Sequence, residues 1–214
     1  MDLSFASSRR TFPPAYQGPS ALGTRRLQRL HEALVPPKRV RRAATDRLFL
    51  AVVPPADVAE RISRLARHLR IGHDLTGRPL EAEHFHVSLC PLGEGVGVPA
   101  DIVATATERA GRTAMPSFKV AFDRVGSFRN GAFVLRGDES LIGLEILQQR
   151  LSDSLDGRPQ PARSFTPHVT LLRDRHLVPE HDIEPIEWQV KDVVLVHSLL
   201  GKTTHRHLAR IPLA

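Results

Sequence analysis

The chain of 214 residues has one cysteine, Cys90. An intrachain disulfide is therefore excluded, and the compartment that fits is a reducing cytoplasm. No apolar run approaches the length that crosses a bilayer, so neither a transmembrane helix nor a membrane partner is expected. No cysteine–histidine cluster has zinc spacing, and no serine or cysteine sits in a nucleophile elbow. Acidic residues are scarce at one end only. Residues 1–45 hold nine Lys/Arg against two acids, which leaves 21 of each for the remainder. The net charge of +7 thus belongs to the N-terminal segment and says nothing direct about the body.

That segment, 1–45, contains Pro13-Pro14, Pro19, Pro36-Pro37 and paired arginines. It reads as largely disordered, with one short helix near Arg25–Leu34. Three roles compete: a solvated tail or an upstream extension from a misassigned start, a basic arm for a phosphate backbone, and a targeting peptide. Residues 46–214 read as one bilobal domain.

The body opens on a strand, Arg47–Val53, ended by Pro54-Pro55. Val58, Ile62, Leu65, Ala66 and Leu69 then recur at helical spacing, with Arg61, Arg64, Arg67 and Arg70 on a solvated face. A loop over Gly72–Pro79 leads to a strand over His84–Leu92 and a Gly93–Pro99 loop. A helix follows over Ala100–Ala110, then strands Ser117–Val125 and Gly131–Arg136 in a hairpin. Asp138 is positioned to cap a helix with the stripe Leu141, Leu144, Leu147 and Leu151. After a Gly157–Arg163 loop come strands over Thr166–Leu172, Val190–Ser198 and His205–Pro212. The pattern is α+β, in two halves that form a weak repeat.

One short signature occurs twice: His86-Val87-Ser88-Leu89 and His168-Val169-Thr170-Leu171. None of the other nine histidines fits it. On a strand, residues two apart share a face, so each motif presents an imidazole and a hydroxyl to one side. Two histidines supply a general acid and a general base without a metal or other cofactor. The suitable reaction protonates a leaving group and deprotonates a water or hydroxyl, as phosphodiester cleavage does. An imidazole titrates near neutrality, so one ring can be neutral while the other is cationic. The hydroxyls of Ser88 and Thr170 can bind phosphoryl oxygens. Arg173, three residues past Thr170, falls on the opposite face by strict alternation. It reads equally well as a phosphate ligand or as a surface charge paired with Asp174.

The two tetrapeptides, and above all Phe165-Thr-Pro-His-Val-Thr-Leu-Leu-Arg173, resemble the 2H phosphoesterase superfamily. Within it the resemblance is to bacterial RNA 2′,3′-cyclic phosphodiesterases, also called 2′-5′ RNA ligases. Arg47-Leu-Phe-Leu-Ala51, Val193–Gly201 and Ile211-Pro-Leu213 extend the similarity over residues 46–214. The resemblance implies two pseudo-symmetric lobes, with antiparallel sheets flanked by helices around a central cleft. It implies hydrolysis of RNA 2′,3′-cyclic phosphate ends to 2′-phosphates, and reversible, ATP-independent 2′-5′ joining. On this chain His86 would protonate the departing 3′-oxygen and His168 would take a proton from water. Ser88, Thr170 and Arg173 would hold the phosphate. The expected partners are RNA ends or small cyclic nucleotides. A monomer is the default, although nothing in the sequence sets the oligomeric state. Two features depart from the family: Ser88 stands where threonine is commoner, and Cys90-Pro91-Leu92-Gly93 replaces a longer strand.

Other residues have two readings each. Phe49 faces the cleft and stacks on a base, or packs in the core; Phe165 is similar. Trp188 reads as a packing anchor. His84 shares a face with His86 and could tune it. His205 and His207 have a metal-binding spacing but no third ligand. Cys90 shares the face of Ser88 by alternation and reads as a small buried residue. The rival functions are a cyclic phosphodiesterase acting on a small nucleotide or ADP-ribose cyclic phosphate, and a non-catalytic RNA-binding module.

Overall fold

The computed structural model describes residues 43–157, 165–202 and 204–214. The expectations for residues 1–42, and for most of the loop at 157–163, lie outside them. Among the described residues, eight strands form two four-stranded antiparallel sheets. The first runs in the order β2 (Val87–Gly95), β1 (Asp46–Val52), β7 (Asp192–Leu199), β8 (Thr204–Pro212). The second runs β5 (Val169–Arg173), β4 (Ala132–Arg136), β3 (Phe118–Ser127), β6 (His181–Val190). The last two strands therefore return to the sheet that the first two began. Each motif histidine immediately precedes an edge strand, β2 or β5, which carries the rest of its motif.

Helix α1 (Ala56–Gly72) buries Val58, Ile62, Ala66 and Leu69, and packs against β5 and β6. Its arginines point to solvent. Helix α2 (Ala100–Gly111) meets β8 and helix α3 (Ile142–Asp156). The leucine stripe of α3 is fully buried, with Leu144, Leu147 and Leu151 at 0 % exposure. One apolar core joins both sheets and all three helices. Trp188 anchors it, stacked on Phe122 with ring centroids 5.1 Å apart.

Asp138 does not cap the helix. Its carboxylate pairs with Arg124 at 2.6 Å, and a 3-10 turn over Glu139–Leu141 starts the helix instead. Strand β6 escapes the sequence reading because Pro185 and its acids interrupt the apolar signal. The proline is tolerated because β6 is an edge, where a missing N–H costs no ladder bond. The same reason lets β2 continue through Pro91 to Gly95, past the loop expected there. The motif strands also start later than alternation suggests. His84 closes a 3-10 turn over Ala82–His84, and the strands begin at Val87 and Val169, one residue after each histidine.

Candidate active site

The two motifs are built alike. His86 lies between buried Phe85 and Val87; His168 lies between buried Pro167 and Val169. Buried neighbours on both sides fix the backbone and turn each imidazole out of the core. Each ring is then pinned by one hydrogen bond. Nδ1 of His86 donates to the carbonyl of His84 at 2.7 Å, and Nδ1 of His168 donates to the carbonyl of Thr166 at 2.7 Å. A carbonyl oxygen only accepts, so each Nδ1 carries the proton. Nε2 is left on both rings as the nitrogen available for chemistry. The rings are close enough that the charge of His168 lowers the proton affinity of His86.

Both strands carry a β-bulge just after the hydroxyl. In β2, Ser88 pairs with Ala51 and Cys90 with Leu50, leaving Leu89 as the extra residue. In β5, Thr170 pairs with Val134 and Leu172 with Phe133, leaving Leu171 extra. A bulge resets alternation by one residue. Cys90 is thereby moved off the Ser88 face into the core, 4 % exposed, where its thiol meets the Gln148 carbonyl and Ser152 Oγ. That corrects the face expected for Cys90 from strict alternation. Arg173 is moved the other way. It pairs with Ala132, two along from the Thr170 partner Val134, and so shares the face of Thr170. The opposite-face expectation for Arg173 fails for the same reason. Its side chain is exposed, and no carboxylate lies within ion-pair distance among the described residues. Asp174 is engaged elsewhere: it accepts from the backbone N–H groups of Thr76, Gly77 and His176 and from Thr76 Oγ1.

The two motifs differ in their surroundings. Phe49 lies on the face of β1 turned away from the main core, with Ala51, Val194 and Val196. Its ring is 5.1 Å from that of His86 and 6.0 Å from that of His205, and it is only 6 % exposed. His205 also stands 5.2 Å from His86 and 5.1 Å from His84. His86 thus sits in a nest of rings. Burial lowers its proton affinity most, and the nearby His168, His84 and His207 add to the effect against the bond to the His84 carbonyl. Burial also holds His205 down to about 4, helped by His86, His84, His207 and Arg47.

His168 has one aromatic neighbour among the described residues, Phe128, at 5.0 Å and edge-on. The Arg136 guanidinium lies over the Phe128 ring, 5.6 Å from its centre. Phe128 was not legible as a site residue, because it stands in the β3–β4 turn, where no periodicity assigns a face. Phe165 lies apart: it lines a cavity of about 550 Å³ with Leu92, Arg109 and Ser152 between β2, α2 and α3. None of His86, Ser88, His168 and Thr170 lines that cavity. No group of three or more His, Cys, Asp or Glu among the described residues is arranged to hold a metal ion. No helix among them is long and apolar enough to cross a membrane.

Two four-stranded antiparallel sheets flanked by helices give the chain the fold of the 2H phosphoesterases. The family model of the 2′-5′ RNA ligase superfamily matches residues 53–202, and the chain belongs to that superfamily. It is 35% identical over 136 residues to the RNA 2′,3′-cyclic phosphodiesterase of Escherichia coli (strain K12), covering 60% of this chain and 72% of that protein. The crystal structure of E. coli LigT complexed with 3′-AMP matches with a TM-score of 0.63 and 29% identity, over 79% of this chain and 98% of that one. A protein of Thermus thermophilus, TT0787, shares the fold, with a TM-score of 0.57 and 22% identity over 78% of this chain and 97% of that one.

Proposed function

We propose that this protein hydrolyses RNA 2′,3′-cyclic phosphate ends to 2′-phosphates, with His86 and His168 as its acid–base pair and no cofactor. The observation that carries the reading is the matched pinning of the two imidazoles through Nδ1, which leaves Nε2 of each ring for chemistry. His168 Nε2 takes a proton from water as its oxygen attacks phosphorus. The bond from phosphorus to the 3′-oxygen breaks, and His86 Nε2 gives that oxygen a proton. Ser88 and Thr170 donate to the non-bridging oxygens, and Arg173 balances their charge. Phe49 supports the His86 ring from beneath. An RNA 5′-hydroxyl in place of water gives a 2′-5′ bond by the same displacement, with no need for ATP.

The test is incubation with a nucleoside 2′,3′-cyclic phosphate and with an RNA oligomer bearing the same end, in the presence of chelator. The expected product is a 2′-phosphate. His86→Ala and His168→Ala should each lower the rate at least ~100-fold, the scale of a lost general acid or base, while far-UV circular dichroism stays unchanged. Wild-type turnover by either variant would overturn the assignment. A rate confined to the mononucleotide would move the substrate class to small cyclic nucleotides. Binding of RNA without hydrolysis would make the chain a binding module.

A further inference from the structure

The matched motifs sit in unmatched settings, and the difference is concentrated at one side chain. His205 projects from β8, an edge strand two places from β1 in its sheet. Its register partner is Ser198, two along β7 from Val196, so it rises on the same face as Phe49. There its ring meets His86 at 5.2 Å and 72°, Phe49 at 6.0 Å and 80°, and His84 at 5.1 Å and 71°. Phe49 covers one side of the His86 ring and His205 stands edge-on at another. We propose that His205 is a positioning residue: its ring closes the nest around His86, keeps water from that imidazole, and so sets the proton affinity of one catalytic partner but not the other. The inference rests on the two-histidine reading above and extends it to a residue outside both motifs.

The mode of action follows from the groups that face His86. They are His84 from the 3-10 turn, His205 and His207 from β8, and His168 just before β5. Arg47 on β1 acts on His205. Burial is the largest influence on His86, and the charges acting on it are those of His168, His84 and His207. His205 itself is held neutral at physiological pH. A neutral ring cannot act on its neighbour as a charge, so its influence is exclusion of water. Any ring of similar shape should serve, and a small side chain should not.

The experiment compares wild type, His205→Ala and His205→Phe by NMR titration of the His86 ring, beside the pH dependence of kcat/KM. In His205→Ala, water reaches the ring, and the His86 transition is expected about one pH unit higher, a tenfold change in proton affinity. The His86-dependent limb of kcat/KM should move with it. In His205→Phe the transition should stay where it is in wild type. An unmoved transition in His205→Ala would overturn the proposal, as would a rise in His205→Phe equal to that in His205→Ala. The NMR reading needs no turnover, so it stands or falls separately from the cyclic phosphodiesterase assay.

Discussion

In the proposed reaction His86 must hold a proton to act as the acid, yet burial and neighbouring imidazoles work to remove it. On that reading the conflict resolves with substrate present. A cyclic phosphodiester carries one negative charge, and an anion between the rings favours the imidazolium of His86. Proton affinity should therefore be low in the free protein and higher in the complex. The expected outcome is that the pH limb belonging to His86 lies higher in kcat than in kcat/KM, since the first reports the complex and the second the free enzyme. Coincident limbs would show that bound phosphate leaves His86 unchanged. The pair His86 and His168 was legible from residues alone, because a repeated tetrapeptide needs no structure to be seen. The identity of the ring neighbours was not. Phe49, His86 and His205 are distant in sequence, and the sequence singles out His205 only for its metal-binding spacing with His207, not as a neighbour of His86.

At the scale of elements, the end of β5 is where the site is held in register. Asp174 gathers three backbone N–H groups and one hydroxyl from two loops. Leu80 donates to the carbonyl of the bulged Leu171, tying the α1–β2 connection to the same strand. Gly77 packs so closely that a Cβ there would fall 2.0 Å from the carbonyl oxygen of Arg173. Only glycine fits, for reasons of space. Gly77→Ala should displace the end of β5, lower Tm by several degrees and raise KM for the cyclic phosphate through Arg173. Thermal melts and initial rates check both, and unchanged KM would separate the loop from the site. Strand periodicity located the motif strands but missed their bulges. A bulge is set by how two strands pair, and a single strand read alone keeps strict alternation.

For the whole molecule, one continuous core means that the two sheets are expected to unfold together. The pH dependence of that transition follows from groups whose proton affinity the fold lowers. His73, His86, His205 and His207 all lie below the ordinary imidazole value of 6.5, chiefly through burial. The unfolded chain then binds more protons as pH falls below that value, so stability declines from about pH 6.5 downward. For His205 the loss continues to about 4. Two carboxylates add a second stage. Thr45, Gly97 and His197 hold Asp46 down to about 2, and the N–H groups of His176, Gly77 and Thr76 hold Asp174 down to about 2, against an ordinary 3.8. Their contribution is complete above 3.8 and fades toward 2. Urea midpoints should fall from about pH 7.5 to 5 and again from about 4 to 2.5. A flat profile over the first of these ranges would contradict the histidine stage.

The α+β class, the strands that follow the two histidines, the leucine stripe of α3 and the repeated histidine–hydroxyl motif are all readable along the chain. Each of these depends on local periodicity or on residue identity, which a chain displays without folding. Folding sets which sheet takes the last two strands, where β6 lies, and that bulges turn Cys90 inward and Arg173 toward Thr170. It alone decides that His86 is enclosed by Phe49, His84 and His205 while His168 meets Phe128. Pairing between strands and packing between distant side chains fix these features, and neither leaves a periodic trace along the chain.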